Sequence, residues 1–267
     1  MTTITSTVVH QADVQFREAA AVLRPHVGCF WIITADRDAA IRIVPDLSTS
    51  ISTELQDGRM SGWWLRGPLV RPDERRFPSP VTIVGVRLKP GVAFLLSAIA
   101  AEAMVGRRIR ASAIDSFREL VTTSPAPRTP TDCIDVLERF LIQRLSHASV
   151  HDVVARALEE IERDRGQSSV GDVARRCGVS ARHLNRLTRL WVGFGPKSLA
   201  TIVRFQATLA EIDQAPSQPG AALAATTGYF DQAHLTTNLS RFAGATPRRL
   251  ASHHAADFYK TRCDDLP

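Results

Sequence analysis

The sequence predicts an α+β chain. An N-terminal small β-barrel or sandwich with flanking helices comes first, and an all-α segment made of two helical hairpins follows. Three observations carry this. Short apolar runs broken by turn residues crowd residues 25–90, the apolar period lengthens to that of helices after Lys89-Pro90-Gly91, and one hairpin pattern occurs twice towards the C-terminus.

With 267 residues, 44% of them hydrophobic, the chain can build two cored domains. Val14 to Leu23 predicts a short helix. Cys29–Thr34, Ala40–Val44, Ser50–Leu55, Trp63–Leu65 and Val81–Leu88 predict strands, punctuated by Pro45-Asp46, Asp57-Gly58, Gly67-Pro68 and Pro78–Pro80. A helical run to Met104 follows, then helical pieces around Ile114 to Val121. Pro125-Ala-Pro-Arg-Thr-Pro130 breaks the pattern. Beyond it, Ile134, Leu137, Phe140, Leu141 and Leu145, then Val153, Val154, Leu158 and Ile161, give one or two amphipathic helices with a charged outer face. These form either a bridge packed on both domains or a dimer seam. The expected organisation is an N-terminal sensing or dimerisation domain at 1–125, a helical connector at 126–166, the double-hairpin domain at 167–252 and a tail at 253–267.

The first hairpin pairs Val170-Gly-Asp-Val-Ala-Arg-Arg with a helix that starts beyond Cys177-Gly178-Val179. Ser180 is suited to accept the free N–H groups of that helix. Leu184 and Leu187 fall on one face, and Arg182, Asn185, Arg186 and Arg189 on the other. A short helix, a tight glycine-containing turn and a second helix with Arg and Asn outward form the helix-turn-helix pattern. The second copy runs from Ala221 to Gly228 and from Asp231 to Phe242, with Asp231 as cap and Leu235, Leu239 and Phe242 inward. Helix 196–213, opened by Pro196, joins the copies. At ~1.5 Å per residue it spans roughly 27 Å.

Charge agrees with this arrangement. Residues 168–250 carry ten Arg or Lys and four acids, so the whole net charge of +6 sits on the double hairpin, as a polyanion-binding module requires. Cys29, Cys133, Cys177 and Cys263 match no zinc spacing and read as reduced thiols. No basic segment followed by an apolar run opens the chain, and Val92 to Val105 is too short and too polar to span a bilayer. A cytoplasmic protein without membrane association is expected. Before residue 147 only His10 and His26 occur, with no His-x-His pair, which argues against a metal oxygenase. No cysteine lies in the Pro-Cys-His setting that a DNA-repair methyltransferase would want, and no catalytic grouping stands out. Neither catalysis, nor a metal, nor a cofactor is expected.

Residues 168–250 resemble the AraC/XylS family of bacterial transcription regulators. The resemblance rests on Gly178-Val179-Ser180, Arg182-His-Leu184-Asn-Arg186, Gly193-Phe-Gly-Pro196-Lys197, Arg204-Phe205, Gly228-Tyr229, Phe242 and Gly244-Ala-Thr246-Pro247. More loosely, Pro45-Asp46, Gly67-Pro68 and Gly85-Val-Arg-Leu-Lys-Pro90-Gly91 are similar to the companion domain of one branch of that family, which implies a cupin-like β region. Leu187 and Leu239 stand where the family usually has Phe, and Thr237 where Arg or Lys is common. The second hairpin is therefore the poorer in contacts.

By position, Arg182, Asn185 and Arg186 are candidates for guanine and adenine edges in one major-groove segment, each bidentate contact worth ~1–3 kcal/mol. Gln232, His234 and Thr237 are their counterparts in the second segment. Arg189, Lys197, Arg241 and Arg248 are candidates for phosphate contacts. Phe30, Trp31, Trp63 and Trp64 could line an effector pocket, although aromatic residues at such spacing more often form core. The expected function is sequence-specific regulation through double-stranded DNA. RNA polymerase, a small-molecule effector and a second copy of the chain are further partners that the resemblance allows. The alternative is a ligand-binding or protein-interaction protein whose hairpins no longer bind DNA specifically.

Overall fold

The strands come first in the chain: β1 (Thr7–His10), β2 (Asp13–Arg17), β3 (Val27–Ala35), β4 (Ala39–Ile43), β5 (Thr49–Gln56), β6 (Arg59–Met60), β7 (Trp64–Arg66), β8 (Asp73–Phe77), β9 (Val81–Leu88) and β10 (Arg108–Arg110). A computed structural model describes residues 7–10, 12–36, 39–77, 80–123 and 125–252; the expected tail 253–267 and Cys263 lie outside the described residues. Two antiparallel sheets result, one ordered β10-β7-β5-β9-β3-β2 with β6 added to β5, the other β1-β4-β8.

Alternation along the strands gives the larger sheet two unlike faces. Phe30, Ile51, Leu65, Val84, Val86 and Leu88 form one, buried under helices. The other face turns Trp31, Ile33 and Ile83 towards Ile43 and Phe77 of the smaller sheet. Next to this apolar cluster the interior is ionic. Glu54 meets Arg75 at 3.0 Å and Arg108 at 3.4 Å, and Arg87 meets Asp46 at 2.8 Å. Arg66 donates to Ser50 Oγ at 3.2 Å, and burial lowers its pKa.

The predicted helix at Val14–Leu23 is instead edge strand β2 followed by a single 3-10 turn at Ala21–Leu23. Val14 and Phe16 point inward while Asp13, Gln15 and Arg17 stay exposed, so the period is two. Strand β8, Asp-Glu-Arg-Arg-Phe, has no apolar run to announce it, because its inward residue Arg75 is held by a carboxylate. Cys133 and Cys177 are free and buried, whereas Cys29, expected as a thiol, is disulfide-bonded.

Helices α1 (Val92–Ser97) and α2 (Ala101–Met104) replace the single expected run, which breaks at Ala98 with φ +55°. Short α3 (Arg118–Val121) follows. Helix α4 (Pro130–Leu145) starts with Thr129 and Asp132 capping each other and lays Ile134, Leu137 and Leu141 on the sheet core. Helix α5 (Asp152–Arg163) packs Val154, Ala157, Leu158 and Ile161 into the C-terminal core instead. The connector is thus two helices serving two cores, and the apolar residues that a dimer seam would need are used within the chain.

The remaining helices are α6 (Val170–Arg176), α7 (Ala181–Val192), α8 (Pro196–Gln214), α9 (Gly220–Thr226), α10 (Gln232–Ala243) and α11 (Pro247–Ser252). Leu184, Leu199, Ile202, Phe205, Leu209, Leu223, Leu235, Leu239 and Phe242 share one core, which also takes Val44 and Leu47 from the loop after β4. Gln206 of α8 donates to Pro45 O at 2.6 Å beside them. At the other end, Trp191 of α7 packs against Phe94 with the rings tilted by 59° and their centres 4.7 Å apart. Gly193, at φ +93°, closes α7 against Ala101, Val105 and Pro68, where any side chain would collide. The β-rich part therefore grips the helical part at two places.

Candidate nucleic-acid interface

Each hairpin is built by the same local chemistry. In the first, Ser169 caps α6 by accepting from Asp172 N at 3.1 Å, and its hydroxyl donates to the Asp172 carboxylate at 2.7 Å. Those contacts, with Arg175, hold the Asp172 pKa below the usual carboxylate range. Gly178 turns the chain at φ +70°, and Val179 N donates to Ala174 O at 3.0 Å. Ser180 Oγ then accepts from His183 N at 3.2 Å to open α7. The second hairpin repeats the turn with Gly228 at φ +72° and Tyr229 N donating to Ala224 O at 2.9 Å. Asp231 accepts from His234 N at 2.7 Å to open α10.

The arginine-bearing side of α7 faces outward. Arg182, Asn185, Arg186 and Arg189 are exposed along one stripe, while Leu184 and Leu187 are buried behind them. Asn185 leans its Oδ1 over Gly195, a contact that any side chain at 195 would block. Arg189 stands 3.6 Å from Glu102 of α2, so this phosphate candidate has a carboxylate neighbour across the domain junction. Lys197, at the start of α8, is exposed.

On α10, Gln232, His234 and Thr237 are all exposed, but two of them lean on the protein. The Gln232 carboxamide lies over Gly220, and the His234 ring meets Tyr229 edge-on, 5.2 Å between centres. Arg241 lies 5.0 Å over the Phe242 ring, and Arg248 is exposed on α11. Arg204 of α8 is part of the frame that sequence patterning missed. It reaches Gly166 O and stands 5.7 Å over the Tyr229 ring, tying the junction before α6 to the second hairpin. Its Arg-Phe setting marks the position, but nothing in one sequence shows what it touches.

The four aromatic candidates are not brought together. Phe30 and Trp63 are buried in the helix-side core, whereas Trp31 lies on the opposite sheet face against Gly85. Trp64 is flanked by Arg108 and Arg110, each 4.6 Å from its ring. Neighbouring residues of a strand alternate faces, so adjacent tryptophans cannot share a wall. Among the described residues no group of three or more His, Cys, Asp or Glu could hold a metal, and no helix is long and apolar enough to cross a membrane.

Comparison with known proteins agrees with this geometry. Residues 173–253 match a family described as a helix-turn-helix domain, and residues 15–110 match a domain of unknown function (DUF6597). No functionally curated protein matches the sequence. Among solved structures, the C-terminal domain of AraT, a response regulator from Geobacillus stearothermophilus, is 21% identical, with 39% of this chain and 88% of that one covered at a TM-score of 0.36. ToxT from Vibrio cholerae is 9% identical over 96% of this chain and 97% of its own, with a TM-score of 0.45. ToxT with a bound unsaturated fatty acid gives 10% identity, 93% and 94% coverage and a TM-score of 0.39. With all three scores below 0.5, the assignment rests on the sequence match and the paired helices. These make residues 173–253 a helix-turn-helix domain.

Proposed function

We propose that the chain binds an asymmetric duplex site, with α7 and α10 directed at successive major-groove segments. The exposed stripe Arg182–Asn185–Arg186 carries this reading. It places bidentate donors for guanine and a bidentate amide for adenine on a helix whose opposite face is fixed in the core. Arg189, Lys197, Arg241 and Arg248 set register on the phosphates and make binding salt-sensitive. Helix α8, 19 residues at ~1.5 Å each, spans about 28 Å, less than the ~34 Å between major-groove faces of straight B-DNA. Full engagement of both helices therefore bends the duplex.

The β-rich part takes the sensing role in this reading. Its ionic interior, where Arg66 Nη1 is buried without a hydrogen-bond partner among the described residues, suits an anionic small molecule better than an apolar one. Thermal-shift measurements with small carboxylates should then find a stabilising compound that neutral analogues do not match. A set of anions without effect counts against it.

The test of DNA binding is a mobility-shift titration of the full chain against its own upstream DNA. Arg186→Ala should weaken specific binding by about tenfold or more at unchanged stability. No specific shift, or a shift indifferent to Arg186→Ala, overturns the reading.

A further inference from the structure

The two hairpins share one register from their caps onward. Ser180 and Asp231 both cap their helices, Leu184 and Leu235 are the first buried residues, and Gly193 and Gly244 both close their helices at positive φ. On this register the positions of Arg182, Asn185, Arg186 and Arg189 fall on Ala233, Thr236, Thr237 and Ser240. Where the first helix carries four hydrogen-bonding groups on long or branched polar chains, the second carries a methyl, two threonines and a serine. Both threonine hydroxyls are already engaged, Thr236 Oγ1 donating to Gln232 O at 2.8 Å and Thr237 Oγ1 to Ala233 O at 2.9 Å. Side chains held this way hydrogen-bond to the preceding turn, and the methyl groups are left for an outside partner.

One further residue has no counterpart in the first hairpin. Between the residue after the turn glycine and the cap, the second hairpin inserts Phe230. Its neighbours Tyr229 and Leu235 are buried, yet Phe230 is 92% exposed, the most exposed large hydrophobic residue among those described. It stands one position before the cap of α10, at the end of the helix that carries Ala233. Gln232 and His234, the polar candidates, lie against Gly220 and Tyr229.

We propose that α10 reads its half of the DNA site through thymine 5-methyl groups, with Phe230, Ala233 and the Thr237 methyl as the contacting surface. This rests on the DNA-binding reading above and adds the chemistry of the second subsite. The 5-methyl of thymine is the one apolar group that base edges display in the major groove, and alanine, threonine and phenylalanine are suited to it.

Deoxyuridine pairs as thymidine does but lacks the methyl, so it isolates the contact. The full chain is titrated by fluorescence anisotropy against a duplex selected from a random pool, and each thymine is replaced in turn. Deoxyuridine in the α10 half should weaken binding about threefold to tenfold, and in the α7 half less than about twofold. Replacing guanine by 7-deazaguanine in the α7 half, which removes the N7 acceptor, should cost more than any uracil. Thr237→Ser keeps the hydroxyl bond to Ala233 O, and Phe230→Ala removes only an exposed ring; either variant should shrink the uracil penalty at one position. A selected site whose α10 half is indifferent to uracil, or a penalty unchanged in both variants, overturns the proposal while DNA binding stands. Failure of the random pool to yield any site overturns the DNA reading itself, and this proposal with it.

Discussion

The first and second hairpins are folded alike and furnished differently, and the contrast separates what the fold requires from what recognition requires. Both have a glycine at φ near +70°, an oxygen-bearing cap and a leucine in the shared core. Each of these helps hold the helix pair together. The outward residues are free of that constraint, and there α7 carries charge and amide groups while α10 carries methyls. On the reading proposed above, the difference divides the labour: hydrogen-bond readout and most of the specificity at one subsite, shape and methyl contacts at the other.

The largest expected effect comes from breaking what the two hairpins share. Leu184 and Leu235 are both fully buried in one core, so Leu184→Ala or Leu235→Ala should each cost about 2–5 kcal/mol in chemical denaturation. Each should weaken binding to both half-sites, because the core is common. A Leu235→Ala protein that keeps full stability and affinity would mean that the second hairpin is dispensable. Next come the caps. Ser180→Ala and Asp231→Ala should each lose about 1 kcal/mol of stability. Only Ser180→Ala should also reduce discrimination between guanine and other bases at the α7 half, since it frays the turn beside Arg182. Equal losses of discrimination in both variants would erase the contrast. The smallest effect concerns the junction. Glu102 and Arg189 are both about half exposed, so their pair is worth less than about 1 kcal/mol. Glu102→Gln should free Arg189 for phosphate, raise affinity about twofold and steepen the salt dependence of binding by up to one contact. Unchanged affinity and slope would show that Arg189 does not meet the backbone.

Much of this architecture is legible in the sequence for identifiable reasons. The hairpins announce themselves because caps, turn glycines and apolar spacing all act locally: Ser180, Asp231, Gly178 and Pro196 each fix their element without help from distant residues. Strands β3, β5 and β9 are legible by their apolar runs. Strands β2 and β8 are not, because one is a half-exposed edge and the other turns an arginine inward to Glu54. The orientation of Gln232 and His234 was out of reach for the same kind of reason. Helical position shows which side chains leave the core, but not that Gly220 and Tyr229 give two of them a resting place within the protein. The aromatic pocket failed on strand alternation, which sends Phe30 and Trp31 to opposite sides of one sheet.

The central claim is that one reading helix dominates sequence recognition. It is tested most directly by substituting every base pair of the selected site in turn and measuring the affinity of the full chain for each duplex. The account predicts that losses of tenfold or more cluster within the half-turn met by α7, with shallower losses, concentrated at thymines, in the half met by α10. Tenfold losses at guanines or cytosines in the α10 half, or an even spread of losses over both halves, would contradict it.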